Sequence, residues 1–145
     1  MATVRDILAV KGPHVQTIGP GATVLDAAII MNEHKIGSLL VMEEGRLVGI
    51  LTERDILMRI VAEQRDANTT QVGDVMTRDM VCCRPHTDME EARSVMKHRR
   101  IRHLPVVEEE GGVIGLISIG DLNAYQCDHQ ERTIYLLQEY IHGTW

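Results

Sequence analysis

The sequence predicts an α/β (α+β) protein built from two copies of one β-α-β-β-α unit, with a further helix after the second copy. Three observations carry this. Gly49-Ile50-Leu51-Thr52-Glu53-Arg54-Asp55 returns 66 residues later as Gly115-Leu116-Ile117-Ser118-Ile119-Gly120-Asp121. Four further landmarks recur 65 residues apart: Pro20 and Pro85, Met31 and Met96, Ile36 and Ile101, Val41 and Val106. The core must also be aliphatic, because aromatics are only 3% of the residues and phenylalanine is absent.

Each element follows from the residues in order. The copies open with Val4-Arg5-Asp6-Ile7-Leu8 and Val72-Gly73-Asp74-Val75-Met76. Short extended segments follow, Val15 to Pro20 and Met80 to Pro85, ended by prolines that a central strand excludes. A helix from Thr23 to about His34 has Val24, Ala27, Ala28 and Met31 on one face, with Thr23 and Asp26 spaced as a capping box. Its counterpart, Asp88 to about Arg99, carries Ala92, Val95 and Met96.

Hairpins come next, Ile36–Met42 with Leu47–Leu51 and Ile101–Val107 with Val113–Ile117, each turning at glycine. The second turn, Glu108 to Gly112, is one residue longer than the first, which moves the offset from 65 to 66. Second helices start after each signature, from Glu53 to about Glu63 and from Ile119 to about Gln126. Polar residues 64–70 form a linker, and residues 130–142 read as a tail helix with Ile134, Leu137 and Ile141 on one face and Gly143 as its stop. That stripe either packs back on the module or meets a second subunit. The division is 1–66 for the first repeat, 67–127 for the second and 128–145 for the tail. Neither repeat has enough residues to close a core alone, so the pair is the unit.

Composition excludes several functions. A net charge of −6 opposes nucleic-acid binding, which calls for a basic excess. No apolar run reaches membrane-spanning length, and the N-terminus lacks an apolar signal core, so a cytoplasmic protein without a membrane partner is expected. Cys82, Cys83 and Cys127 are odd in number and form no CxxC, so they read as reduced thiols. The seven histidines show no recurring ligand spacing, and no metal is expected. No nucleophile, base and orienter come together, so no enzyme and no catalytic cofactor are expected.

The signature allows two readings. Thr52 with Asp55, and Ser118 with Asp121, have capping-box spacing and could do no more than start two helices. The same strand-to-helix turn also exposes amides and a carboxylate at a cleft edge, where the acid can accept the hydroxyls of a ribose and the helix start can meet a phosphate. The residues alone leave both open.

The two repeats with their intact signatures, together with Leu104-Pro105-Val106-Val107, resemble a tandem pair of CBS (cystathionine β-synthase) domains, a Bateman module, over residues 4 to 126. The first copy departs from the pattern in having Leu39-Leu40-Val41-Met42, without the proline. The resemblance implies two pseudo-two-fold repeats packed through their sheets, as in stand-alone bacterial proteins of this type. It implies a non-catalytic, energy-sensing module that binds AMP, ADP, ATP, NAD(H) or S-adenosylmethionine between the repeats. It also implies a homodimer and a protein target acting in trans.

Carried onto this sequence, the resemblance pairs the aspartate end of one repeat with the opening strand and hairpin start of the other. Thr52 and Asp55 would face Val81, Cys82, Cys83, Ile101, Arg102 and His103, with Pro105 on the adjoining strand. Ser118 and Asp121 would face Val15, Thr17, Ile36, Gly37 and Ser38. The first site is the more basic, with Arg54 beside the aspartate and Arg100 near Arg102, where the second has Gly120 and Lys35. Guanidinium forks suit phosphate, so the Asp55 site is expected to hold it better. The alternative is a structural or protein-interaction module whose clefts stay unoccupied.

Overall fold

The structure, a computed structural model, describes residues 2–12 and 14–142, apart from the side chains of 128–133, 135 and 139–142. The first half carries α1 (Val4–Lys11), β1 (Thr17–Ile18), α2 (Val24–His34), β2 (Ser38–Glu43), β3 (Arg46–Thr52) and α3 (Glu53–Ile56). A π-helical turn, Leu57–Val61, extends α3. The second half has α4 (Val72–Val75), α5 (Met89–Arg99), β4 (His103–Val107), β5 (Val113–Ser118) and α6 (Ile119–His142). The mixed α/β architecture is the expected one.

β1 runs parallel to β2, and β2 pairs antiparallel with β3 through a turn in which Glu44 and Gly45 both have positive φ, as a tight hairpin requires. β4 and β5 repeat the hairpin. The register slips at Val41/Met42 and again at Val106/Val107, so even the bulge is duplicated. The second extended opening is shorter than expected: it makes a single parallel bridge, Cys83 to Val106, two residues before Pro85.

Helix starts follow their local chemistry. Thr23 accepts from the Asp26 amide and Asp26 reaches back to the Thr23 amide, while Asp88 accepts from the Glu90 amide. Both α2 and α5 end on a left-handed residue, Lys35 and Arg100. A non-glycine residue there costs on the order of 1 kcal/mol and turns the chain sharply into the following strand.

The core is two aliphatic clusters, one per sheet, and each borrows an element from the other half. Val72, Val75 and Met76 of the α4 segment join Val24, Leu39, Val41 and Leu51. Val4 and Ile7 of α1 join Met96, Leu104, Val106 and Ile117. Backbone bonds fix the exchange: the Val4 and Arg5 amides donate to Thr87 and Pro85, and the Val72 and Gly73 amides donate to Ala22 and Pro20. Each fully buried aliphatic side chain contributes roughly 1.5–3 kcal/mol, so neither sheet keeps its core without the other's leading helix.

Two helical expectations are corrected. The separate helices at 119–126 and 130–142 are one continuous helix, α6, because 127–129 hold no glycine or proline to interrupt it. The first repeat's second helix becomes the π turn after Ile56 and ends at Val61. Gly143 lies outside the described residues. Of the expected stripe, Ile134 and Leu137 are more than half exposed and do not pack back on the module, and the Ile141 side chain lies outside the described residues. Residues 64–70 are a structured linker, with Asp66 accepting from the Asn68 amide and the Thr70 hydroxyl, and Ala67 and Thr70 carbonyls meeting the start of α2. No helix among the described residues is long and apolar enough to cross a membrane.

Candidate functional site

Where β3 passes into α3, the Thr52 hydroxyl accepts from the Asp55 amide at 3.2 Å. Asp55 Oδ2 accepts in return from the Thr52 amide at 2.9 Å and its hydroxyl at 3.1 Å. The capping reading is therefore physically real. It leaves Asp55 Oδ1 to the other half of the chain, where it accepts from the Thr77 hydroxyl at 3.0 Å. Arg59 stands 3.9 Å from the same oxygen but is committed elsewhere, donating to the Val75 and Met76 carbonyls at the end of α4. Asp55 is 7% exposed, so a buried carboxylate lies at the junction of the two halves.

This carboxylate opens on a cleft of about 870 Å³ between the repeats. The first half contributes Thr52, Arg54 and Asp55 with Met58 and Gly37, and the second contributes Thr77, Val81, Ile101, Arg102, His103 and Pro105. Arg54, Arg99, Arg100 and Arg102 all line it and form no ion pair among the described residues. Three acids, Glu53, Asp55 and Asp79, oppose them. Ile50, Met80 and Ile101 provide apolar wall, so the cleft offers a flat ring one surface, a diol one carboxylate and an anion several guanidinium groups.

His103, at the start of β4, lies in the seam between the halves. Burial pushes its pKa below the usual histidine value, and the Arg102 charge lowers it further, against raising contributions from Glu53 and Asp121. Gly37 keeps the seam narrow: a Cβ there would run into the Glu53 carboxylate and come to 3.4 Å from His103 Nε2.

The structure does not bring all the expected residues to this cleft. Of the second opening, Met80 and Val81 line the cleft, Cys82 is exposed and Cys83 is buried in the second core. Cys82 and Cys83 instead border a separate cavity of about 310 Å³ beside Arg84 and Glu91. Burial raises both thiol pKa values, that of Cys83 to about 12.

On the other side, Ser118 reaches the large cleft while Asp121 does not. The Asp121 carboxylate accepts from the Ser118 amide and from Lys11 Nζ, both at 2.8 Å. Of its expected neighbours, Val15 is half-buried, Thr17 is exposed, Ser38 is buried in β2 and Ile36 borders a shallower cavity with Gly37. Among the described residues no group of three His, Cys, Asp or Glu side chains is placed to hold a metal ion.

Sequence reasoning missed Thr77, Met58, Arg59 and Asp79. A signal for Thr77 was present: the openings Val4-to-Leu8 and Val72-to-Met76 are 68 residues apart, whereas Pro20 and Pro85 are 65 apart. The first copy thus has three extra residues between its opening and its proline, about one helical turn. They lengthen α1 relative to α4 and change what each places against the opposite signature.

The family model for the CBS domain matches the chain twice, over residues 4–62 and 72–127. The CBS domain-containing protein YhcV of Bacillus subtilis is 35% identical over 130 residues, 90% of this chain and 89% of its own. The mitochondrial CBS domain-containing protein CBSX3 of Arabidopsis thaliana is 39% identical, covering 97% of this chain and 72% of that protein. The crystal structure of the CBS domain NE2398 superposes with a TM-score of 0.82 at 40% identity, over 87% of this chain and 98% of that one.

Proposed function

The chain belongs to the CBS domain family, and on that premise we propose that it is a non-catalytic sensor of adenosine-containing ligands. The ligand sits in the Asp55 cleft and a protein partner reads the outcome in trans. One observation carries this: a buried carboxylate and four arginines that form no ion pair among the described residues line one cross-repeat cleft. Asp55 would accept the ribose hydroxyls, Val81, Ile101 and Pro105 would flank the base, and Arg54, Arg100 and Arg102 would take the phosphates. AMP, ADP, ATP and NAD(H) all present these three parts, and forms bearing phosphate would bind better than adenosine or S-adenosylmethionine.

Because both halves contribute to the cleft, a ligand that prefers one relative packing shifts the population toward it. The exposed Ile134 and Leu137, one turn apart on α6, support a homodimer. A cytoplasmic location fits the reduced cysteines.

The test is a thermal-shift panel of AMP, ADP, ATP, NAD, NADH, S-adenosylmethionine and GTP. A ligand at about a hundred times its dissociation constant adds ~2.7 kcal/mol, several degrees for a chain of this size. A shift confined to adenine compounds supports the sensor. The reciprocal Thr52–Asp55 cap favours the second reading, an interaction module with unoccupied clefts; no shift at millimolar concentrations would select it.

A further inference from the structure

We propose that Lys11 occupies the second signature from within the chain, so that the module takes one nucleotide per chain, at Asp55. Thr77 and Lys11, each at or just past the end of its half's first helix, reach the opposite half's signature. Thr77 donates its amide to the Ile50 carbonyl at 2.9 Å and its hydroxyl to Asp55 Oδ1 at 3.0 Å. Leu116 and Asp121 hold the same places in the second signature as Ile50 and Asp55 in the first. There a single group makes both contacts: Lys11 Nζ donates to the Leu116 carbonyl at 2.6 Å and to Asp121 Oδ2 at 2.8 Å.

The substitution follows from chain length. α4 ends at Val75 and the chain continues beside β3, bridging Thr77 to Ile50. α1 continues to Lys11, and its last side chain is long enough to reach across to the signature. Gly12, with φ 95, then turns the chain away.

The chemistry of the two carboxylates therefore differs. Asp55 Oδ1 is hydrogen-bonded by a neutral threonine hydroxyl, and its nearest cation, Arg59, stands at 3.9 Å, outside hydrogen-bond reach. An ammonium neutralises Asp121 through a charge-assisted bond, on the oxygen that already accepts from the Ser118 amide. Asp121 Oδ1 accepts no hydrogen bond among the described residues, so a ribose that is to take both carboxylate oxygens must displace Lys11 from Oδ2 and leave the ammonium with one partner fewer. With Lys11 removed the site would still hold phosphate less well than the Asp55 site, since Gly120 stands where Arg54 does and Gly37 and Ser38 where Arg102 and His103 do. Its nucleotide would therefore bind the more weakly of the two. Lys11 is thus a stoichiometry-determining residue, acting as a built-in occupant.

This inference rests on the sensor reading, and the experiment separates the two. Equilibrium dialysis with radiolabelled ATP, repeated with AMP, would be run on the wild type, Lys11→Ala, Asp121→Ala and Lys11→Ala/Asp121→Ala. Saturation at one nucleotide per chain is expected for the wild type and Asp121→Ala, two for Lys11→Ala, and one again for the double variant. Two per chain in the wild type, or one in a folded Lys11→Ala, overturns the inference and leaves the sensor intact. No binding by any of the four removes both. If Lys11→Ala melts early, Lys11→Thr, which keeps a hydroxyl of the Thr77 kind, carries the same expectation of a second nucleotide.

Discussion

Leu8 packs over Gly115 so closely that a Cβ on the glycine would fall 2.6 Å from Leu8 Cδ2. The same holds in the other half, where a Cβ on Gly49 would meet Met76 Sδ at 2.5 Å and the Thr77 carbonyl at 3.0 Å. The leading glycine of each signature is therefore a seat for the opposite half's first helix or the residues just after it. Neither glycine has an unusual φ; the requirement is space.

Alanine at either seat should destabilise by about 1–3 kcal/mol, the usual effect of overpacking a filled core. Gly49→Ala should cost more than Gly115→Ala, since one of its obstacles is backbone and Leu8 can change rotamer. Gly19→Ala has nothing within 4 Å and serves as the control, with an expected change within about 0.5 kcal/mol. Urea denaturation of the three variants decides this, and equal midpoints for all of them would dismiss the seat.

The arginine cluster predicts a ligand-specific loss. Arg100→Gln/Arg102→Gln should weaken ATP by about tenfold or more, in line with the loss of charged hydrogen bonds, and leave adenosine unchanged. The difference should shrink as salt rises, because both arginines are exposed. Calorimetric titration at two salt concentrations measures it. An equal loss for adenosine would mean that the substitutions disturb the cleft rather than the phosphate contacts.

The fold was legible because each piece of it is locally encoded. Thr23 and Asp26 write a helix start, Glu44 and Gly45 a hairpin, and the 65-residue offset shows that the same pieces recur. What the sequence concealed is non-local. Nothing in Val4 or Val72 says that it packs on the other half's sheet, and the partnership of Thr77 with Asp55 or Lys11 with Asp121 exists only once that crossing has been made. Cys82 and Cys83 illustrate a second limit. A strand edge can be assigned to a cleft from a motif, but the local path of the backbone decides which side chains enter, and here Met80 and Val81 do while Cys82 and Cys83 do not.

The thiols should react according to their exposure. Cys82 and Cys127 are exposed, whereas Cys83 is buried and its pKa is pushed up to about 12. Since the thiolate is the reactive form, a disulfide reagent at mildly alkaline pH should modify Cys82 and Cys127 in the folded protein and Cys83 only after denaturation. Peptide mapping by mass spectrometry identifies the sites. Modification of Cys83 at the rate of Cys127 would show that the second core opens readily.

His103 makes stability depend on pH with a defined sign. Burial, then Arg102, holds its folded pKa below the unfolded value of about 6.5. Between the two values the unfolded chain binds more protons, so stability is fully present above the unfolded pKa and falls as pH drops through the folded one. Wild type should therefore unfold at lower urea near pH 5.5 than near pH 7.5, and His103→Gln should show a smaller difference. A nucleotide phosphate beside Arg102 would favour the protonated imidazole, so ATP should stabilise the wild type more at the lower pH, while the His103→Gln protein should lose that gain. An ATP effect that stays independent of pH in the wild type would place the phosphates away from His103, on the Arg54 side of the cleft.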